Sequence, residues 1–321
     1  MRQLLIHAKS FARIEDALKP FSDRISPLVL DDDGHLNHAW GESEAKAAIA
    51  YGTQDAYFSP SVMTFFQTLL GLEQLDWFQS SAAGTEHPMI QATGKKAAQF
   101  SGSHEQSDAI AEWVLWAGLD FFQDGRARRQ AQKAKNWTRL PFREIGGSNW
   151  LIFGFGAIGQ ACGKRLRALG AGVTGVRRNA APSDAADRVI TPDQALTAMP
   201  EADIVLLCLP LTEATENTAD AAFFERMKPG SLLINVGRGG LVDETALFAA
   251  LDRGAPAQAY LDVVREEPLS NDSPIWTHPE ITLTPHISAL TEGATIRTDR
   301  VFLENIDRFL NGQPLRNAVH R

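Results

Sequence analysis

Cysteine is nearly absent from this chain: 321 residues contain only Cys162 and Cys208. Two thiols in apolar stretches cannot build a zinc site by themselves, do not suggest a disulfide framework, and read as buried, inert side chains. Long apolar runs are lacking too. No stretch approaches the ~18 residues a membrane span needs, and the N-terminal Met1-Arg-Gln-Leu-Leu-Ile-His7 has neither the apolar run nor the cleavage site of a signal peptide. A cytoplasmic location with no membrane partner is the resulting expectation. Positive charge is not concentrated. The formal charge is −8, and the one basic stretch, Arg126 to Arg143, is broken by alanines and carries no interleaved aromatics. It reads as a solvated helix and linker, and nucleic acid is excluded as a partner. Internal repeats and low-complexity tracts are missing as well.

What is present is an ordinary globular balance, 44% hydrophobic and 22% charged, in a chain long enough for two domains. Short apolar runs alternate with helical patterns. Leu4–Ile6, Leu28–Leu30 and Leu75–Gln79 predict strands in the first hundred residues, with helices around Arg13–Leu18, Glu44–Ala50 and Ser61–Leu70. A long apolar helix is expected over Glu105–Phe122. Further strands are expected at Asn149–Phe153, Val173–Val176, Ile204–Leu209, Leu232–Asn235, Ala259–Val263 and Ile281–Leu283, and a last helix over Glu292–Leu310. This alternation predicts an α/β chain with parallel, doubly wound sheets.

Gly154-Phe155-Gly156-Ala157-Ile158-Gly159 matches G-x-G-x-x-G. The pattern alone is weak, but here it follows an apolar strand and opens an amphipathic helix carrying Cys162 and Leu166, the context that dinucleotide binding requires. Gly154 permits the turn, Gly156 the approach of a pyrophosphate, and Gly159 close helix packing. Where an NAD site ordinarily places an acid near the end of the second strand, this chain has Arg177 and Arg178. Guanidinium binds a 2′-phosphate that a carboxylate would repel, so NADP is favoured, with NAD the alternative.

Three later motifs follow three predicted strands: Arg238 after Leu232–Asn235, Glu267 after Ala259–Val263, and His286 after Ile281–Leu283. Strand carboxyl ends line the ligand crevice of a doubly wound sheet. Reducing a 2-keto acid needs a proton donor, a cation for the carboxylate, and a hydride source. His286 suits the donor and Glu267 would orient it, with Glu266 a competitor for that role. Arg238 would hold the carboxylate and polarise the carbonyl.

With these runs, and with Cys208–Thr215, Met227–Glu244, Asp262–Pro268 and Pro285-His286, the chain resembles the D-isomer-specific 2-hydroxyacid dehydrogenase family. The resemblance implies a Rossmann-type nucleotide domain (residues 105–287) inserted into a flavodoxin-like substrate domain (1–104 and 288–321). It implies Arg238, Glu267 and His286 as the catalytic set. Leu209, Pro210 and Thr215 would line the cofactor cleft, with Val236 and Asp262 near the nicotinamide. It further implies that backbone amides at Ala82, Ala83 and Gly84 bind the substrate carboxylate, and that the protein is a homodimer. Arg177-Arg178 resembles the NADP-using glyoxylate and hydroxypyruvate reductases of the family. An NAD-dependent enzyme for a bulkier substrate, its pocket furnished by Trp77, Phe78, Trp116 or Trp137, is the alternative within the same chemistry. A non-enzymatic nicotinamide-sensing protein is the alternative class.

Overall fold

A computed structural model describes residues 1–38, 48–82, 84 and 87–319. In chain order the elements are β1 (Arg2–His7), α1 (Ala8–Leu18), β2 (Ile25–Leu30), β3 (Ala48–Gly52), α2 (Gln54–Tyr57), α3 (Val62–Gly71), β4 (Leu75–Ser80), α4 (Pro88–Lys96), β5 (Gln99–Ser101), α5 (Ser107–Phe122) and α6 (Gly125–Lys133). There follow β6 (Asn149–Phe153), α7 (Ala157–Ala168), β7 (Gly172–Val176), β8 (Arg188–Ile190), α8 (Pro192–Ala198), β9 (Ile204–Leu207), α9 (Ala221–Arg226) and β10 (Leu232–Asn235). The chain closes with α10 (Glu244–Asp252), β11 (Gln258–Leu261), β12 (Ile281–Leu283) and α11 (Glu292–Leu310). Among the described residues no helix is long and apolar enough to cross a membrane.

The chain divides into two units, Met1–Glu105 with Glu292–Arg321, and Gln106–Thr291. The first holds a five-stranded sheet in the order β2-β1-β3-β4-β5, all parallel. That is the flavodoxin-like winding. Side chains of β1 alternate between two cores. Leu4 and Ile6 pack with Phe302 and Ile306 of α11, and Leu5 packs in the opposite cluster with Phe65, Phe66 and Leu69 of α3. Both faces are therefore covered, as a parallel sheet requires. Pro27 sits within β2, where the missing N–H is tolerated because β2 is an edge strand.

The second unit holds seven parallel strands in the order β12-β11-β10-β9-β6-β7-β8. The order reverses between β6 and β9, the switch point at which such sheets bind ligands. Trp150 and Ile152 of β6 face α5 and α7, whereas Leu151 and Phe153 face α9 and α10. Each fully buried Leu or Ile of these strands contributes about 1.5–3 kcal/mol relative to exposure, which is what holds the strand ends, and hence the loops, in place.

One expectation is corrected. Of the helix expected at Glu44–Ala50, residues 44–47 lie outside the described residues, and Ala48–Ala50 belong to β3. All five β3 residues are buried between β1 and β4. A short central strand covered on both faces needs no alternation, so small apolar residues there imitate a helix pattern. The short edge strands β5 and β8 escaped the sequence reading. Two strands also stop early, β9 at Leu207 and β11 at Leu261.

Candidate active site

The crevice begins at the loop between β6 and α7. Gly154 has φ +94°, and a Cβ there would lie 2.5 Å from the Cys208 carbonyl oxygen, so the loop rests directly on the chain leaving β9. At Gly159 a Cβ would meet the Gly154 carbonyl oxygen at 2.6 Å; α7 can approach its strand this closely only with glycine. Gly156 has nothing within 4 Å of that position. The N-terminus of α7 carries no capping side chain, which leaves its first N–H groups for an anion. Ala157 is exposed and Ile158 half-buried. The Phe155 side chain turns inward and is fully buried against Gly175, so only its backbone faces the loop's concave side.

At the end of β7 the Arg177 guanidinium donates to the Ala181 carbonyl oxygen at 2.5 Å. Its Nε is buried with no hydrogen-bond partner, a costly state for a cation's donor. Arg178, beside it, is exposed. Across the switch point, Thr215 Oγ1 donates to the Pro210 carbonyl oxygen at 2.7 Å and accepts from Thr212 N at 2.8 Å, bracing the turn that carries Leu209. Val236 is buried and hydrogen-bonds through its N–H to Leu207. An open helix N-terminus and a turn clear of side chains fit a dinucleotide.

The reactive groups come from the next three strand ends. The Asn235 side chain shapes the turn after β10, accepting from Gly237 N at 3.0 Å and donating to the Arg238 carbonyl oxygen at 2.9 Å. Beyond β12, His286 adopts φ +54°, a left-handed conformation that His tolerates better than most residues. The buried Asp262 carboxylate holds it there. It accepts from Thr284 Oγ1 (2.6 Å), Ile287 N (2.9 Å) and Ser288 N (3.0 Å), while the Asp262 carbonyl oxygen accepts from His286 N at 2.7 Å. Asp262 thus spends its carboxylate on the loop that carries the imidazole.

His286 Nδ1 lies 2.8 Å from Glu267 Oε2, and Glu267 Oε1 accepts from Val264 N at 3.2 Å. An ionised carboxylate only accepts, so Nδ1 carries the proton and Nε2 is the ring nitrogen left for chemistry. Partial burial acts to raise the Glu267 carboxyl. The hydrogen bond and charge of His286, the Val264 N–H and the charge of Arg238 outweigh it, and the net shift is downward. The influence of Arg238 on Glu267 brings all three expected groups into one electrostatic neighbourhood. A group held below its ordinary value stabilises the fold above the usual carboxylate pKa, about 4.3, and loses that contribution as pH falls through the depressed value. Glu267→Gln should therefore lower Tm at neutral pH, with the gap to the native protein closing as pH falls below the ordinary carboxylate range. A gap that stays constant with pH would mean Glu267 is not so coupled.

Other expected residues fall elsewhere. Ala82 and Gly84 follow β4 in the first unit; the Ala82 N–H donates to Ser80 Oγ at 3.1 Å, and Ala83 lies outside the described residues. Trp77 and Phe78 are fully buried core, Trp116 is partly exposed on α5, and Trp137 is 96% exposed. Cys162 is buried, its thiol pushed up to about 12 by burial. Cys208 donates to the Gly154 carbonyl oxygen at 3.1 Å.

A dinucleotide loop at the switch point, followed on the same sheet by a carboxylate-backed imidazole and an arginine, defines a nicotinamide-dependent oxidoreductase. The model of the D-isomer specific 2-hydroxyacid dehydrogenase NAD binding domain matches residues 115–288, and the chain belongs to that family. It is 31% identical over 255 residues to an uncharacterized protein in the proB 3′ region of Corynebacterium melassecola, covering 77% of this chain and 83% of that one. It is 41% identical over 124 residues to glyoxylate/hydroxypyruvate reductase B of Klebsiella pneumoniae, 39% of this chain and 38% of that one. A family crystal structure from Aeromonas salmonicida superposes with a TM-score of 0.78 at 27% identity, covering 99% and 98% of the two chains. The chain matches only 30%, 37% and 32% of the length of three D-3-phosphoglycerate dehydrogenases.

Proposed function

We propose that this protein reduces a small 2-keto acid of the glyoxylate or hydroxypyruvate type to the D-2-hydroxy acid, using NADPH. The observation that carries the reading is the 2.8 Å His286–Glu267 pair with Arg238 in its field. Bound in the crevice, the dinucleotide supplies hydride from C4 of its nicotinamide. The chain's own residues do the rest. The Arg238 guanidinium holds the substrate carboxylate and draws charge onto the keto oxygen as it becomes an alkoxide. His286 Nε2–H gives that oxygen its proton, and Glu267 stabilises the imidazolium beforehand and fixes the ring's tautomer and direction. Asp262 keeps the imidazole loop in place. The relative named glyoxylate/hydroxypyruvate reductase supports the substrate class, as does the burial of Trp77 and Phe78, which removes two aromatics from any bulky pocket.

Arg177 supports NADP. It stands with Arg178 directly after β7, the place where a 2′-phosphate would lie, and a charge-assisted hydrogen bond contributes about 1.5–3 kcal/mol. Arg177→Asp is accordingly expected to lower the NADPH-over-NADH ratio of kcat/KM by about ten- to a hundredfold. A ratio that does not move would remove Arg177 from cofactor selection. The reaction itself is tested by following oxidation of NADPH and NADH with glyoxylate, hydroxypyruvate and phenylpyruvate. Turnover confined to phenylpyruvate, or absent with all three, would sink the substrate assignment.

A further inference from the structure

We propose that Arg265 is a positioning residue that sets the spacing between Arg238 and the Glu267–His286 pair, an inference that rests on the reductase reading above. Arg265 lies two residues before Glu267, in the loop after β11. Its guanidinium reaches two other loops. One terminal nitrogen donates to Glu216 Oε1 at 3.4 Å, and the other donates to Asn217 Oδ1 and to the carbonyl oxygens of Val242 (3.0 Å) and Gly240 (3.4 Å). Its backbone N–H donates to Glu244 Oε1 at 2.9 Å. One residue thus ties the turn after β9, the turn after β10 that carries Arg238, and its own turn that carries Glu267.

The tie acts through backbone that is already in contact. A Cβ at Gly239, the residue after Arg238, would lie 1.9 Å from the Val264 carbonyl carbon and oxygen, so the Arg238 loop presses against the peptide joining Val264 to Arg265. The N–H of Val264 holds Glu267 Oε1. Movement of that peptide moves both the arginine and the carboxylate that aims the imidazole. As an isolated surface ion pair with Glu216, Arg265 would contribute little stability. A planar fork spread over two backbone carbonyls and an amide oxygen does something an ammonium cannot copy, because it fixes direction as well as charge. Misplacing reacting groups by about 1 Å costs on the order of a hundredfold in rate.

Arg265→Ala and Arg265→Lys test this. Arg265→Ala should lower kcat with the keto acid by about ten- to a hundredfold, while the dinucleotide Kd, set by the glycine loop and Arg177, stays within about twofold. Arg265→Lys keeps the charge and the fold but not the fork, and should recover only part of the loss. The Glu267 carboxyl, followed by NMR across pH, should titrate at a higher pH in both variants, because the Val264 N–H that helps hold it low loosens. A lowered Tm with native kcat and native Glu267 titration would overturn the proposal, as would full rescue by lysine. Absence of turnover in the native protein would sink the reductase reading instead, and the Glu267 titration would still decide whether Arg265 positions the pair.

Discussion

Replacing His286 with alanine should lower the turnover of 2-keto acid reduction by a factor on the order of 10² to 10⁴, the usual contribution of positioned proton transfer. The hydride source and the arginine remain, so residual rate is expected. The imidazole side chain is about half exposed, at 46%, and its loop is held by Asp262 through backbone groups, so the fold should persist, with Tm at neutral pH lowered only by the loss of the Glu267 pair. Alanine does carry a conformational penalty at φ +54°. His286→Asn is the cleaner variant, because asparagine accepts the left-handed region yet has no titratable proton to give. Dinucleotide Kd should match the native protein in both. If either variant turned over at the native rate, His286 would not be the proton donor.

Arg238→Ala should cost about 10² to 10³ in kcat/KM, comparable to deleting an oxyanion-hole donor. The loss should be shared, with KM raised and kcat lowered, since the guanidinium is proposed to hold the ground-state carboxylate and to meet the charge that grows on the keto oxygen. Arg238→Lys should recover binding better than rate, because an ammonium keeps the charge and loses the two-pronged geometry. Glu267 gives an independent readout. The Arg238 charge helps hold its carboxyl low, so Arg238→Ala should raise the pH at which the Glu267-dependent stabilisation fades. An unchanged kcat/KM would break the assignment of Arg238 to substrate.

Much of this site was legible before any coordinates, and for a definite reason. Gly154, Gly156, Gly159, Arg238, Glu267 and His286 each follow a strand marked by an apolar run, and in a parallel sheet every strand ends on the same side. Placing chemistry directly after strands therefore places it together. Arg177 was legible in the same way, at the end of β7. Other features were not. Phe155 stands within the glycine motif yet buries its ring against Gly175, because spacing says nothing about side-chain direction in a turn. Asp262 was expected beside the nicotinamide, and its carboxylate braces the His286 loop. Arg265 carries no local signal of its role, since its partners Glu216, Asn217, Gly240 and Val242 lie more than twenty residues earlier in the chain.

The amino-acid order by itself determined which residues carry reactive groups, how strands and helices alternate, and that the sheets are parallel and doubly wound. Hydrophobic runs and glycine spacing are local signals, read by neighbours a few residues apart. Only the tertiary structure decided that Ala48–Ala50 join a central strand, that His286 is held left-handed 2.8 Å from Glu267, and that Arg265 stitches three loops. Those outcomes depend on burial and hydrogen bonds between segments far apart in the chain, where no local pattern reaches.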